Sequence, residues 1–287
     1  MSVARSLYRR GPHEVGRRSD EGGIPPATVA LVATSTAVLV GAAALVWRGD
    51  LTAAAAVDVA FALALCGCGA LEALLPARPL LTPLAAVATA QAVLLATPLP
   101  LLTPGERLGI QGLLLWVVVA GAQRATFPRP LIWREPLNSA SRITQAAGRS
   151  ARDWRLLVVV AAIGVGVGVV AAALLPFHAI TRTHGTALLE EVVAASVVFS
   201  TAEEYLFRGL VAPALGATLG SWALPFDAIV FASAYGGSRQ WPLLLLIAAC
   251  GAGASWITRR FETVAPTVVA HAVAVVTLIL LLPHRFA

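Results

Sequence analysis

The sequence predicts an all-α, polytopic membrane protein: a helical bundle of about nine transmembrane helices (eight to ten), with its N-terminus inside. Three observations carry this. First, 58 % of the 287 residues are hydrophobic and only 13 % are charged, against about 25 % charged in an ordinary soluble domain. Second, long uncharged runs recur, most of them near the ~20 residues that ~30 Å of hydrocarbon demands of a helix. Third, runs such as Leu113 to Ala122 and Leu156 to Val165 lack the two-residue alternation of a membrane β-barrel strand, which leaves helices to satisfy the backbone in lipid.

In chain order, residues 1–26 are a tail with five arginines against Glu14, Asp20 and Glu21, read as disordered and cytoplasmic. Apolar runs bounded by charge, Pro or Gly then place spans at roughly 27–47, 51–75, 80–102 and 108–123, a four-helix N-terminal membrane part over 27–123. The first span reads as a retained helix, because the polar stretch before it is too long for a signal-peptide n-region and its 21 uncharged residues exceed an h-region. Residues 124–155, with seven arginines, read as a cytoplasmic loop. Beyond it, spans at 156–175, 188–212, 221–238, 242–258 and 264–282 make a five-helix core over 156–287. With nine spans and the N-terminus inside, sixteen arginines fall on the cytoplasmic side and five outside, as the positive-inside rule requires. The cell membrane is the expected location.

All 21 basic residues are arginine and Asn138 is the sole asparagine, a composition read as the codon bias of a GC-rich, bacterial genome. The net charge of +6 raises nucleic acid as a partner, but the arginines lie between apolar spans and not along one face, so no nucleic acid is expected. Cys66, Cys68 and Cys250 fall inside spans; the first two project about 200° apart on a helix and cannot jointly face a metal. They read as packing residues, as do Gly164, Gly166 and Gly168 and the Gly251 and Ser255 pair.

Ionisable side chains in hydrocarbon each need a reason. Glu72 and Asp227 lie near span ends, where snorkelling suffices; Glu190 and Glu191 begin a span, at the positive end of a helix dipole. Asp58 lies deeper, read equally as a structural contact or a functional group. Glu203 and Glu204 stand about fifteen residues into a span. Glu204 and Arg208, at i and i+4, share a helical face, whereas Glu203 projects about 100° away. The spacing proposes Glu204 and Arg208 as a structural ion pair and Glu203 as the reactive group, with a wholly ionic staple as the alternative. His271 lies inside the last span, where it reads as a packing histidine unless it meets Glu203.

These residues resemble the CPBP family, the intramembrane CAAX-type prenyl endopeptidases and bacteriocin-processing or immunity (Abi-like) proteins. Thr201-Ala-Glu-Glu-Tyr-Leu-Phe-Arg-Gly-Leu210 looks like its EExxxR signature, Phe231-Ala-Ser-Ala-Tyr235 falls where the family has FxxxH, and Arg260 to His271 resembles the lead-in to HxxxN. The resemblance covers about residues 185–282. It implies a site in which the first glutamate, two histidines and an asparagine hold a metal or water and cleave a peptide bond. Carried over, Glu203 takes the general-base place and His271 the second histidine; Tyr235 replaces the first histidine and Val275 the asparagine. Glu203 and His271 are then candidate ligands of Zn2+ or another divalent metal. A metal-free route has Glu203 activating water while Tyr235 or His271 stabilises the oxyanion.

Three functions are open at this stage. The chain is an endopeptidase cutting a peptide or membrane-protein substrate in or near the bilayer, a non-catalytic relative that binds or scaffolds membrane partners or confers immunity, or a transporter using Asp58, Asp227 and Glu203 as a proton or cation relay.

Overall fold

A computed structural model describes residues 24–68, 78–96, 104–126, 140–175, 186–236, 240–261 and 263–281. Among these residues every regular element is a helix, so the chain is an all-α, multi-pass membrane bundle. Among the described residues six stretches are long and apolar enough to cross a membrane, and Pro79–Leu95 and Ala265–Leu281 are shorter apolar helices.

Helix α1 (Pro26–Arg48) starts on a proline, whose fixed φ suits a first turn. It ends at Gly49, whose φ of 87° is a left-handed conformation that lets the Gly49 and Asp50 amides return to the Val46 and Leu45 carbonyls. Asp50 then accepts from the Ala53 amide and starts α2 (Leu51–Cys68). On α1 the residues Thr28, Val32, Ser35, Leu39, Ala42 and Val46 form one buried stripe, while Val29 and Val40 are exposed. A helix apolar on both its packed and its open face is a lipid-facing span.

Helix α3 (Arg78–Ala96) is the most enclosed element: Leu80, Leu81, Leu84 to Ala88, Ala90 and Ala92 are all buried. Its alanines let neighbouring helices approach closely. Helix α4 (Pro104–Thr126) lies beside it, and the core joins Leu115 and Val119 of α4 to Leu206, Phe207 and Leu210 of the C-terminal half. The four-helix N-terminal part is therefore packed into the same core as the candidate site.

Helix α5 (Ala140–Leu174) has 35 residues, about 52 Å at 1.5 Å per residue. The loop expected over 124–155 is thus helical from Ala140 onward, because alanine, glutamine and arginine are good helix formers, and the arginine charges hide the helix from a hydropathy reading. The apolar part of α5 begins at Trp154. Residues 124–126 of that loop end α4; the tail over 1–23, residues 127–139 with Asn138, Glu72 and the histidines His13, His178, His184 and His284 lie outside the described residues.

The expected span 188–212 is one continuous helical run of mixed register: α6 (Thr186–Val193), a π-helical turn over Ala194–Phe199, α7 (Ser200–Glu204), a second π-helical turn over Tyr205–Val211, and α8 (Ala212–Leu219). Gly220, with φ 57°, then reverses the chain through a short 3-10 turn (Gly220–Trp222) into α9 (Ala223–Ser233). Helices α10 (Trp241–Phe261) and α11 (Ala265–Leu281) complete the bundle.

Two close approaches fix α11. A Cβ added to Gly164 of α5 would strike the Ala270 carbonyl oxygen and lie 3.1 Å from Val273 Cβ, and one added to Gly168 would meet the Ala274 carbonyl and Thr277. Gly166, between them, faces open space. Helix α5 accordingly packs along α11, the helix that carries His271.

Candidate functional site

The site is built on α7 and the π-helical turns on either side of it. Each such turn contains a hydrogen bond reaching one residue further than in an α-helix, and these rare bulges concentrate at functional sites. Serine and threonine hydroxyls occupy the loosened carbonyls: Ser196 donates to Val192 at 2.5 Å, Ser200 to Ala195 at 2.8 Å, and Thr201 to Val197. Gly112 of α4 seats the first turn, since a Cβ there would lie 2.9 Å from Val198 Cγ1 and 3.0 Å from the Phe199 nitrogen.

From this segment Glu203, Glu204 and Arg208 all point inward, with Arg208 only 1 % exposed. The Tyr235 hydroxyl donates to Glu203 Oε2 at 2.7 Å. His271 Nε2 stands 3.7 Å from the same oxygen, and its Nδ1 is 2.9 Å from Glu204 Oε1. Glu204 Oε2 lies 3.5 Å from Arg208 Nε. Arg208 Nη2 donates to the Gly251 carbonyl at 3.1 Å, and its Cζ sits 4.1 Å over the Phe231 ring. Phe231 also packs edge-on to Phe207, Tyr235 and His271. The His271 side chain is 17 % exposed, against 3 % for Glu203, so the imidazole edge is the cluster's more open side.

Five residues singled out in the sequence, Glu203, Glu204, Arg208, Tyr235 and His271, therefore meet in one place. The division of labour is less clean than spacing suggested. Glu204 is shared between Arg208 and His271, and His271 is closer to Glu204 than to Glu203. Val275 follows His271 by one turn on α11 and supplies no donor atom.

Asp227 needs correcting. It does not snorkel: it is fully buried on α9, and Ser255 of α10 donates its hydroxyl to Oδ2. Its place near the end of a span conceals the polar partner on another helix. Asp58 is fully buried on α2, apart from the cluster, with no hydrogen-bond partner for either oxygen among the described residues. Cys66, Cys68 and Cys250 are free thiols. Sequence reasoning missed the π-helical turns, Gly112 and the Asp227 and Ser255 contact; the run of Ser196, Ser200 and Thr201 is the one local signal of the first.

The donor set does not fit a catalytic zinc. Such an ion takes three protein ligands and keeps one position open. Glu203 and His271 are near enough to share an ion but make two ligands, and the other imidazole nitrogen is engaged by Glu204. Among the described residues no group of three or more His, Cys, Asp or Glu is placed to hold a metal.

Residues 185–277 match the family model for the type II CAAX prenyl endopeptidase Rce1-like domain. Neither curated proteins nor solved structures give a match. The matched segment holds Glu203, Glu204, Arg208, Tyr235 and His271, the five residues that converge in space. On that match and this constellation, the C-terminal region of the chain is similar to a type II CAAX prenyl endopeptidase Rce1-like domain, carried in a multi-pass membrane protein.

Proposed function

We propose that the protein is a membrane-embedded endopeptidase in which Glu203 activates water without a metal. The observation that carries this reading is the convergence on Glu203 Oε2 of the Tyr235 hydroxyl and His271 Nε2, at the place where the family has its general base. Glu203 accepts a proton from water, and the hydroxide adds to the scissile carbonyl carbon. Tyr235 turns its hydroxyl to the developing oxyanion. The proton held by Glu203 then passes to the leaving amine as the C–N bond breaks, directly or by way of His271. Glu204 holds the imidazole through Nδ1, which orients Nε2 toward Glu203.

The substrate is a peptide or membrane-protein segment that reaches the site from the bilayer. The protein sits in the cell membrane with its N-terminus and the 124–155 segment on the cytoplasmic side, as the arginine distribution supports. The N-terminal four-helix part and the five-helix core work as one body, since they share a hydrophobic core.

One observation favours a second reading, a non-catalytic relative that binds membrane partners: Tyr235 stands where the family has histidine, and its hydroxyl is already committed to Glu203. Purified protein with a broad panel of membrane peptides separates the two. Turnover in wild type that disappears in Glu203→Gln supports the enzyme; equal turnover in both, or none in either, supports the binding protein.

A further inference from the structure

Arg208 has a second side that the motif residues do not address. Its guanidinium is moored to Gly251 on α10 and lies over Phe231 on α9. Asp227 precedes Phe231 by four residues on α9, and its partner Ser255 follows Gly251 by four residues on α10. Guanidinium and carboxylate are thus held against the same two helices, about one turn (~6 Å) apart along each.

No direct hydrogen bond joins them. Arg208 Nε and Glu204 Oε2 face each other as an ion pair at 3.5 Å, but among the described residues Asp227 Oδ1 and Arg208 Nη1 are buried with no hydrogen-bond partner. Buried charged groups left in that condition are costly, and each requires an explanation. Here a guanidinium nitrogen of Arg208 is left over as a donor and a carboxylate oxygen of Asp227 as an acceptor, with the Glu204 carboxylate on the other side of the guanidinium. A cation in this space would face the guanidinium, and an anion would face two carboxylates. Water alone both donates and accepts, and a buried water makes about three such bonds.

We propose that Arg208 and Asp227 bind a buried water between them, and that Asp227 is a positioning residue: through this water it fixes the guanidinium, which holds Glu204 against His271. The inference does not depend on whether the site is catalytic.

The test has two arms on the full chain in lipid nanodiscs. A high-resolution structure should show one solvent peak within hydrogen-bonding distance of both Asp227 Oδ1 and Arg208 Nη1. A dry site, or direct Asp227 to Arg208 bonds, overturns the water. For the positioning role, 15N-histidine spectra, with His271 assigned by its loss in His271→Gln, should show the ring resonances displaced in Asp227→Asn. They should stay in place in Ser35→Ala, which removes a hydroxyl that donates to the Leu31 carbonyl of its own helix. Unmoved resonances in Asp227→Asn, or equal displacement in both variants, overturn it. If Asp227→Asn does not fold, Ser255→Ala, which releases Asp227 from its mooring, is read by the same criterion.

Discussion

Replacing Gly164 with alanine should separate α11 from α5 and pull His271 away from Glu204. The new methyl would lie 3.1 Å from Val273 Cβ and 3.2 Å from the Ala270 carbonyl carbon, and closer still to the carbonyl oxygen. Optimal carbon contacts lie at about 3.5–4.0 Å, so α11 has to retreat by about 0.5–1 Å. Overpacking of this kind costs about 1–3 kcal/mol. The retreat acts on the residue next to Ala270, where His271 Nδ1 is 2.9 Å from Glu204 Oε1; stretching that bond beyond about 3.5 Å ends it. Gly166 on the same helix faces open space, and alanine there recovers about 0.5–1 kcal/mol of helix propensity. The two variants should therefore differ by roughly 1.5–4 kcal/mol in denaturant titrations in mixed micelles. Equal stability for Gly164→Ala and Gly166→Ala would refute the claim that this close approach seats His271.

Further outcomes follow from the same geometry. Arg208→Ala strands the Glu204 carboxylate and should destabilise the fold by about 3–5 kcal/mol, read as loss of monodisperse protein after detergent extraction; a variant as stable as wild type contradicts the ion-pair assignment. Glu204→Gln weakens contacts to both Arg208 and His271 and should lower folded yield well below that of Glu203→Gln. Tyr235→Phe removes the donor to Glu203 and should cost about 1.5–3 kcal/mol, measured by thermal unfolding of the purified variant. Trp47→Ala breaks the edge-on pair with Trp241, whose centroids are 4.6 Å apart, worth about 0.5–1.5 kcal/mol beyond its buried area; an unchanged midpoint speaks against α1 being bound to α10.

The sequence read most directly where helical periodicity and burial coincide. Glu203, Glu204 and Arg208 could be placed relative to one another because i, i+1 and i+4 have fixed angles on a helix, and hydropathy located α1, α4 and α10 to within a few residues. Contacts between helices were less accessible. Nothing near Asp227 in the chain announces Ser255, which faces it from α10, and nothing near Glu204 announces that His271 comes closer to it than to Glu203. The π-helical turns were invisible for another reason: shifting the hydrogen-bond register leaves the apolar pattern nearly unchanged. The polar start of α5 reads as a loop because arginines break the hydropathy run without breaking the helix.

In the proposed mechanism Glu203 acts as a general base with no metal ligand set around it. Peptide turnover by the purified protein, measured with and without a strong chelator in wild type and Glu203→Gln, tests it most directly. Wild-type turnover should survive chelation and disappear in Glu203→Gln. Turnover that chelation abolishes, or that is the same in both proteins, including none in either, contradicts it.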